Sequence, residues 1–125
     1  MCSDGSRCRV VLCDDAADFL ELVKLLLNME PDMTVVGEAY NGEEAIAVCA
    51  ETQPDLLVLD VSMPVMDGLT ALPEIRRVSP NTNVVMLSGF GSTEMKRRAL
   101  ELGAVQFIEK GVTPSALTKQ LKEHC

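Results

Sequence analysis

The chain of 125 residues has no tryptophan, one tyrosine, three phenylalanines and a single histidine. Aromatic residues make up 3% of it while hydrophobic residues make up 47%, so any core must be built from Val, Leu, Ile, Met and Ala. That composition suits parallel strands that are covered on both faces. From the length we expect one compact domain, with no room for a second within these residues.

Positive charge is also scarce. Eleven Lys and Arg residues stand against nineteen Asp and Glu residues, which gives a formal net charge of -8. Proteins bind a phosphate backbone mainly through Lys and Arg, so we do not expect this segment to bind nucleic acid directly. The densest basic run, at residues 96–98, lies between Glu94 and Glu101, which is typical of a solvated helix face.

The five cysteines, at positions 2, 8, 13, 49 and 125, include no C-x-x-C pair. A zinc site is therefore not expected, and reduced thiols are the default. The sequence also lacks a run of about 18 apolar residues, a signal-peptide core and a cysteine at the prenylation position. We therefore expect a cytoplasmic protein without a membrane segment.

Short apolar runs alternate five times with segments of helical period, which predicts an α/β fold with a parallel sheet. The predicted strands cover residues 9–13, 33–39, 56–59, 84–87 and 105–108. The first helix is expected to turn Phe19, Leu22, Val23 and Leu26 toward the core. Residues 1–8 are expected to be disordered, so the domain spans residues 9–125.

Local signals predict where the other helices begin and end. Asn41 and Glu44 resemble a capping box, and Thr113 followed by Pro114 opens the last helix, which carries Leu117 and Leu121. Gly103 closes the fourth helix as its C-cap residue. Pro73 lies inside the third helix and is expected to kink it or to shift its start.

Four of the five predicted strands end in polar residues. Asp14 and Asp15 follow the first strand, Asp60 the third, Ser88 the fourth and Lys110 the fifth. Taken singly, each of these residues has a plainer explanation. Asp15 can be a helix N-cap and Asp14 a solvated loop acid. Ser88 can be a turn residue and Lys110 a surface lysine. In open α/β sheets, however, the carboxyl ends of the strands line the ligand crevice. Their convergence at one edge favours a shared ligand.

The residue types at this edge suit phosphoryl chemistry. Three carboxylates in one crevice repel one another, and a divalent cation would offset that repulsion. Mg²⁺ is the best candidate because it is held by one or two carboxylates and accepts phosphate oxygens as further ligands. A lysine and a hydroxyl can bind the phosphoryl oxygens, and a carboxylate can accept the group as an aspartyl phosphate.

A resemblance to a known family is carried by the stretch Leu59-Asp60-Val61-Ser62-Met63-Pro64-Val65-Met66-Asp67-Gly68. The acidic pair that precedes this stretch, and Ser88-Gly89 and Lys110 that follow it, match the same family pattern. The sequence thus resembles the receiver domains of bacterial response regulators, the CheY-like superfamily. The resemblance runs from about Arg9 to Lys122. It implies a flavodoxin-like, doubly wound (βα)5 domain with strand order 2-1-3-4-5. It also implies a phosphorelay switch, not an enzyme with turnover, that takes its phosphoryl group from a histidine kinase or a phosphotransfer protein.

The resemblance also implies roles for individual residues. Asp60 would be the phosphoacceptor, and Mg²⁺ would be held by Asp15, Asp60, the carbonyl of Ser62 and, through water, Asp14. The phosphoryl oxygens would be bound by Ser88, the backbone N–H of Gly89 and Lys110.

Ser88 and Phe107 would act as switch residues. Their movement would change the surface of the fourth helix, fifth strand and fifth helix, through which a homodimer could form. Two features depart from the commonest receiver pattern. Gly111 stands where many receivers have a cis proline, which predicts a freer fifth loop, and Phe107 lacks the hydroxyl of the usual tyrosine.

Three alternatives fit less well. A phosphohydrolase of the haloacid dehalogenase type needs a second acid where Ser62 stands, and also a cap domain. A flavodoxin-like FMN carrier would have a Ser/Thr-rich loop after the first strand, where acids occur here. A degenerate receiver that acts as a phosphorylation-independent interaction module is disfavoured because all five site side chains are present.

Overall fold

The computed structural model describes residues 7–125, in which five strands alternate with five helices. The strands are β1 (Cys8–Cys13), β2 (Met33–Ala39), β3 (Leu56–Asp60), β4 (Asn83–Ser88) and β5 (Gln106–Glu109). The helices are α1 (Ala17–Asn28), α2 (Gly42–Thr52), α3 (Gly68–Val78), α4 (Thr93–Glu101) and α5 (Pro114–Lys122). The predicted disorder of residues 1–8 falls almost wholly outside the described residues, although Cys8 lies in β1.

The strands form one parallel sheet in the order β2-β1-β3-β4-β5, which confirms the expected topology. Cys13 pairs with Leu59, and Asp60 pairs with Leu87. The chain moves outward from β1 to β2 and then returns to β3 on the other side. The carboxyl ends of β1 and β3 therefore flank the point where the winding reverses, which is where open α/β sheets bind ligands.

Both faces of the sheet are covered. One face packs against α2, α3 and α4 through small and medium side chains, including Ala45, Cys49, Ala71, Leu72, Ile75 and Ala99. The opposite face packs against α1 and α5 through Leu20, Val23, Leu27, Leu117 and Leu121. Every residue of β3 is buried. The continuous apolar run at 56–59 thus reflects a strand enclosed on both sides.

Helix α1 faces the core with a stripe that overlaps the predicted one only in part. Val23 is buried and Phe19 packs partly buried against the core, as predicted. The prediction was wrong for Leu22, which is 48% exposed, while Leu20 and Leu27 are buried instead. Apolar residues occupy more than half of the helix circumference, so helical spacing alone allows two neighbouring stripes. Only packing against the sheet selects between them.

Most helix ends follow the predicted signals. The Asn41 side chain accepts a hydrogen bond from the Glu44 N–H at 2.9 Å, and Thr113 caps α5 with Pro114 as its first residue. Gly103, at a φ of +110°, follows α4 and donates its N–H to Leu100 O at 3.1 Å. Helix α3 continues through Pro73 from Gly68 to Val78.

The cysteines correct another expectation. Cys8 and Cys125 form a disulfide with a Cα–Cα distance of 5.6 Å, although 117 positions separate them in sequence. The expectation of reduced thiols was wrong for this pair, while Cys13 and Cys49 are free and buried. The two cysteines lie in the core cluster between the sheet and helices α1 and α5, where the start of β1 approaches the end of the chain. The spacing of the cysteines along the sequence does not reveal this proximity.

No helix among residues 7–125 is both long enough and apolar enough to cross a membrane.

We predict that Cys125→Ser lowers the free energy of unfolding by about 2–4 kcal/mol, because opening a long covalent loop enlarges the unfolded ensemble. Urea unfolding without reductant measures the change. Excess dithiothreitol should bring the wild type to the stability of the variant and leave the variant unchanged. Equal stability of the oxidised wild type and the variant would contradict the disulfide.

Candidate functional site

Three carboxylates meet at the carboxyl edge of the sheet. Asp14 and Asp15 directly follow β1, and Asp60 is the last residue of β3. One carboxylate oxygen from each lies within 4.8 Å of the others. Asp14 and Asp60 are only 2% and 3% exposed, whereas Asp15 is exposed. The sequence prediction that these acids converge is confirmed.

Lys110 supplies the positive charge of the cluster. Its Nζ lies 2.7 Å from Asp14 Oδ2 and 3.3 Å from Asp60 Oδ1. The ammonium also lies over the ring of Phe19, 4.8 Å from the centroid, where the π face attracts a cation. One ammonium thus serves two buried carboxylates, and the centre remains short of positive charge.

The two adjacent acids after β1, Asp14 and Asp15, differ in their contacts. Asp14 Oδ1 accepts a hydrogen bond from the Ala16 N–H at 2.8 Å, which fixes the turn into α1. Its buried Oδ2 has no donor among the described residues apart from the Lys110 ammonium. Asp15 does not cap α1, whose N-cap is Ala16 without a side-chain hydrogen bond. The plainer reading of Asp15 as a helix cap is therefore wrong.

The electrostatics of the cluster follow from burial and crowding. Burial, followed by the neighbouring charge of Asp14, raises the pKa of Asp60 from 3.8 to about 6 even though Lys110 opposes the change. For Lys110, burial alone would lower the pKa, but its hydrogen bond to Asp14 and the charge of Asp60 outweigh that effect and raise it. Lys110 therefore stays charged, while the ionised form of Asp60 is destabilised.

The loop after β3 is held close beneath Asp60. The Gly68 N–H donates to Val61 O at 2.8 Å, and a Cβ at Gly68 would lie 2.1 Å from Asp60 O, so no larger residue fits. Val65 has a φ of +67°, and the Met66 N–H donates to Pro64 O across it at 2.7 Å. A branched residue in this conformation is strained, and such strain clusters at functional loops.

The loop after β4 closes the other side of the site. Ser88 Oγ donates to Phe90 O at 2.7 Å and accepts from the Phe90 N–H at 3.1 Å. The hydroxyl is thus engaged with its own loop. Together these loops border an open cleft of about 540 Å³, which is lined by Asp15, Asp60, Val61, Ser62, Ser88, Gly89, Phe90, Met95 and Lys110.

Phe107 lies outside this lining. Its ring is partly buried against the core cluster on the α4 side, and a Cβ at Gly91 would lie 2.5 Å from Phe107 Cε1. Sequence reasoning missed Phe90, which is 85% exposed at the rim of the cleft, and Phe19 beneath Lys110. The two glycines that flank Phe90, Gly89 and Gly91, could have indicated its exposure. An aromatic residue between two glycines in a loop has few neighbouring side chains against which it can be buried.

Comparisons with known proteins agree with this geometry. The family described as "Response regulator receiver domain" matches residues 10–122. The chain belongs to the response regulator receiver domain family. It is 35% identical to the chemotaxis protein CheY of Thermotoga maritima over 115 residues, which are 92% of this chain and 95% of that protein.

Two further relatives extend the comparison. The chain is 44% identical to a protein-glutamate methylesterase/protein-glutamine glutaminase of Caldanaerobacter subterraneus, covering 94% of this chain but 32% of that protein. The crystal structure of the CheX-CheY-BeF3-Mg²⁺ complex from Borrelia burgdorferi superimposes with a TM-score of 0.89 at 26% identity, covering 95% of this chain and 90% of that one. Receiver domains therefore occur both nearly alone and within longer proteins.

The family determines the broad function of the chain. It is a flavodoxin-like receiver domain of phosphorelay signalling, and receivers are switches, not enzymes in themselves. Receiver domains bind Mg²⁺ at their acidic pocket, and this chain has the corresponding Asp cluster. They interact with kinases, phosphatases and output domains. The phosphohydrolase alternative receives no support.

We predict that Asp60→Asn stabilises the fold near neutral pH in the absence of Mg²⁺. The pKa of the Asp60 carboxyl is 3.8 in its ordinary state, as in the unfolded chain, and about 6 in the folded protein. Between pH 3.8 and about 6 the folded state therefore binds more protons than the unfolded state does. Its free energy of unfolding then falls as pH rises, by up to about 3 kcal/mol.

Urea unfolding of wild type and variant from below pH 4 to above pH 7 tests this. The excess stability of Asp60→Asn should be small at the acid end and reach its full value above the folded pKa. A difference that is independent of pH, or that favours the wild type at neutral pH, would contradict it.

Proposed function

We propose that Asp60 is the phosphoacceptor of this receiver. The observation that supports the assignment best is its position: a carboxylate 3% exposed, at the end of a fully buried strand, that borders the open cleft. Its raised pKa of about 6 leaves it mainly ionised at neutral pH. A carboxylate that is ionised, poorly solvated and open to one side can act as a nucleophile toward a phosphoryl group.

The chain's own groups suggest how transfer proceeds. An Asp60 oxygen attacks the phosphorus of a phosphohistidine, a P–O bond forms, the P–N bond breaks, and the imidazole leaves with the electron pair. Lys110, 3.3 Å from Asp60 Oδ1, offsets the charge gathered on the phosphoryl oxygens. Asp14, at 2.7 Å, holds the ammonium in position. The same site would then catalyse slow hydrolysis of its own aspartyl phosphate.

The acidic cluster fits a bound Mg²⁺. The donors are carboxylates of the kind that Mg²⁺ prefers, and the Oδ2 of Asp14 has no partner except Lys110. We propose Asp15, Asp60 and the Ser62 carbonyl as direct ligands, with Asp14 acting through water. When bound, the ion would neutralise phosphoryl charge.

Switching would begin at Ser88. To reach a phosphoryl oxygen, its hydroxyl must give up the 2.7 Å hydrogen bond to Phe90 O, so the β4–α4 loop would have to move. Gly89 would add its backbone N–H to the phosphoryl group. Phe107 would then turn toward the space left by Ser88 and change the α4-β5-α5 surface, which would bind an output partner or a second receiver.

The phosphodonor would be a sensor histidine kinase or a phosphotransfer protein. A cytoplasmic location is part of the same proposal. In that compartment glutathione and thioredoxin would act against the Cys8–Cys125 disulfide.

We predict that acetyl phosphate with Mg²⁺ adds one phosphoryl group to the wild type and none to Asp60→Asn, as measured by intact mass. Asp18→Asn, a change at an exposed acid of α1, is the matched control and should be modified like the wild type. A modified Asp60→Asn variant would place the phosphoryl group elsewhere. An unmodified wild type would favour the degenerate receiver.

We predict that Asp15→Asn weakens Mg²⁺ binding by roughly 10-fold or more, because a direct carboxylate ligand loses its charge. The chain has no tryptophan, so isothermal titration calorimetry is the suitable measurement. Asp18→Asn should leave the affinity unchanged. Equal affinities of all three proteins would exclude Asp15 from the ligand set.

A further inference from the structure

Phe19 brings an aromatic ring to the lysine of the acidic cluster. It is the third residue of α1, and the centroid of its ring lies 4.8 Å from Lys110 Nζ. A cation over an aromatic face, within about 6 Å of the centroid, is attracted by the negative charge of that face. The contact therefore joins the start of α1, which follows β1, to the residue that follows β5.

Core packing accounts for only part of this ring. Phe19 is half-buried and packs against the cluster between the sheet and helices α1 and α5. No buried residue among 7–125 is aromatic, so both faces of the sheet are packed with smaller apolar side chains. An aliphatic side chain would therefore suit position 19 if packing alone selected it. The ring adds a property that an aliphatic side chain lacks, a π face beside Lys110.

The other contacts of the Lys110 side chain are with groups that would themselves respond to a ligand. The Lys110 backbone N–H donates to Ser88 O at 2.8 Å, which fixes the main chain beside β4. The ammonium is held by Asp14 at 2.7 Å and by Asp60 at 3.3 Å. A cation or a phosphoryl group at the site would compete with the ammonium for these carboxylates, or draw it away from them. The contact with the ring carries no such competition.

An aromatic ring suits this place because the site is already rich in negative charge. Asp14, Asp15 and Asp60 each bring a carboxylate oxygen within 4.8 Å of the others. A fourth carboxylate could also hold the lysine, but it would repel the phosphoryl group that the site has to accept. The π face attracts the ammonium without a net charge. The side chain of Lys110 is 23% exposed, so part of the water that would compete with the ring is excluded.

We propose that Phe19 is a positioning residue for phosphoryl transfer, whose ring holds the Lys110 ammonium between Asp14 and Asp60. In that place the ammonium can offset the charge of the phosphoryl oxygens as soon as they arrive. Without the ring, the flexible side chain of Lys110 would populate other rotamers once a cation occupied the carboxylates. The inference rests on the proposed function, because this placement matters for transfer only if Asp60 accepts the phosphoryl group.

The rate of phosphorylation by acetyl phosphate in saturating Mg²⁺ tests the proposal. Phe19→Leu keeps an apolar side chain but removes the π face, and it should slow the reaction several-fold, up to about 10-fold. Phe19→Tyr keeps the π face and should react within about 2-fold of the wild-type rate. Leu27→Val, about two turns further along α1, is the control. It removes buried volume and should lower stability in urea without changing the rate.

The placement of the ammonium is measured separately from the reaction by ¹H–¹³C NMR of the Lys110 side chain, assigned by comparison with Lys110→Arg. The ring current of Phe19 should shift the ε-methylene protons of Lys110 upfield. Phe19→Leu should return these protons to the ordinary lysine value, whereas Phe19→Tyr should preserve the shift.

Several results would overturn the proposal. They are a wild-type rate in Phe19→Leu, equal slowing in Phe19→Leu and Phe19→Tyr, equal slowing in Leu27→Val, and an unshifted Lys110 signal in the wild type. Modification of Asp60→Asn would instead overturn the proposed function, and with it the role of the contact in transfer, even where the NMR shift shows the contact itself.

Discussion

Two carboxylates that the fold has taken out of water, Asp14 and Asp60, share the single ammonium of Lys110. Removing a charge from water is costly unless it is paired, and here the pairing is incomplete. The pKa of Asp60 rises to about 6 because it is buried beside Asp14 and because Lys110 supplies too little positive charge for both carboxylates. A bound divalent cation would relieve this shortage of positive charge, and phosphorylation of Asp60 would change it again. On this proposal, switching begins from a centre whose charges the described side chains do not balance by themselves.

The rest of the fold supports this centre. Burial of β3 on both faces gives Asp60 little freedom, and Gly68 lets the next loop pack directly against the Asp60 backbone. On the opposite side, the backbone of Ser88 is fixed at the end of β4, while its hydroxyl bonds to Phe90 in the loop that follows and lies 4.0 Å from Met95 Sδ. Asp60, the proposed acceptor, is therefore held firmly, whereas the Ser88 hydroxyl would need to break only side-chain hydrogen bonds to move. That difference would allow a local change of charge to become a movement of the loop.

The sequence was sufficient for those features that local chemistry controls. Strong local patterns predict the caps at Asn41, Thr113 and Gly103. They also predict that Asp14, Asp15, Asp60 and Lys110 converge at one sheet edge. The strand order, in contrast, was implied by the resemblance to receiver domains. The sequence was insufficient where tertiary packing selects among equal choices. Both stripes of α1 have helical spacing, and only the sheet distinguishes Leu20 from Leu22. The Cys8–Cys125 disulfide and the exposed Phe90 likewise depend on proximity in space.

The state of the Asp60 carboxyl is the central claim, and carboxyl ¹³C NMR measures it directly. With and without Mg²⁺, the chemical shift of Asp60 is followed as a function of pH and assigned by comparison with Asp60→Asn. A midpoint near the pKa of about 6 without the ion, moving to lower pH when Mg²⁺ is added, is the predicted result. A midpoint at the ordinary carboxyl value that does not respond to Mg²⁺ would contradict the account.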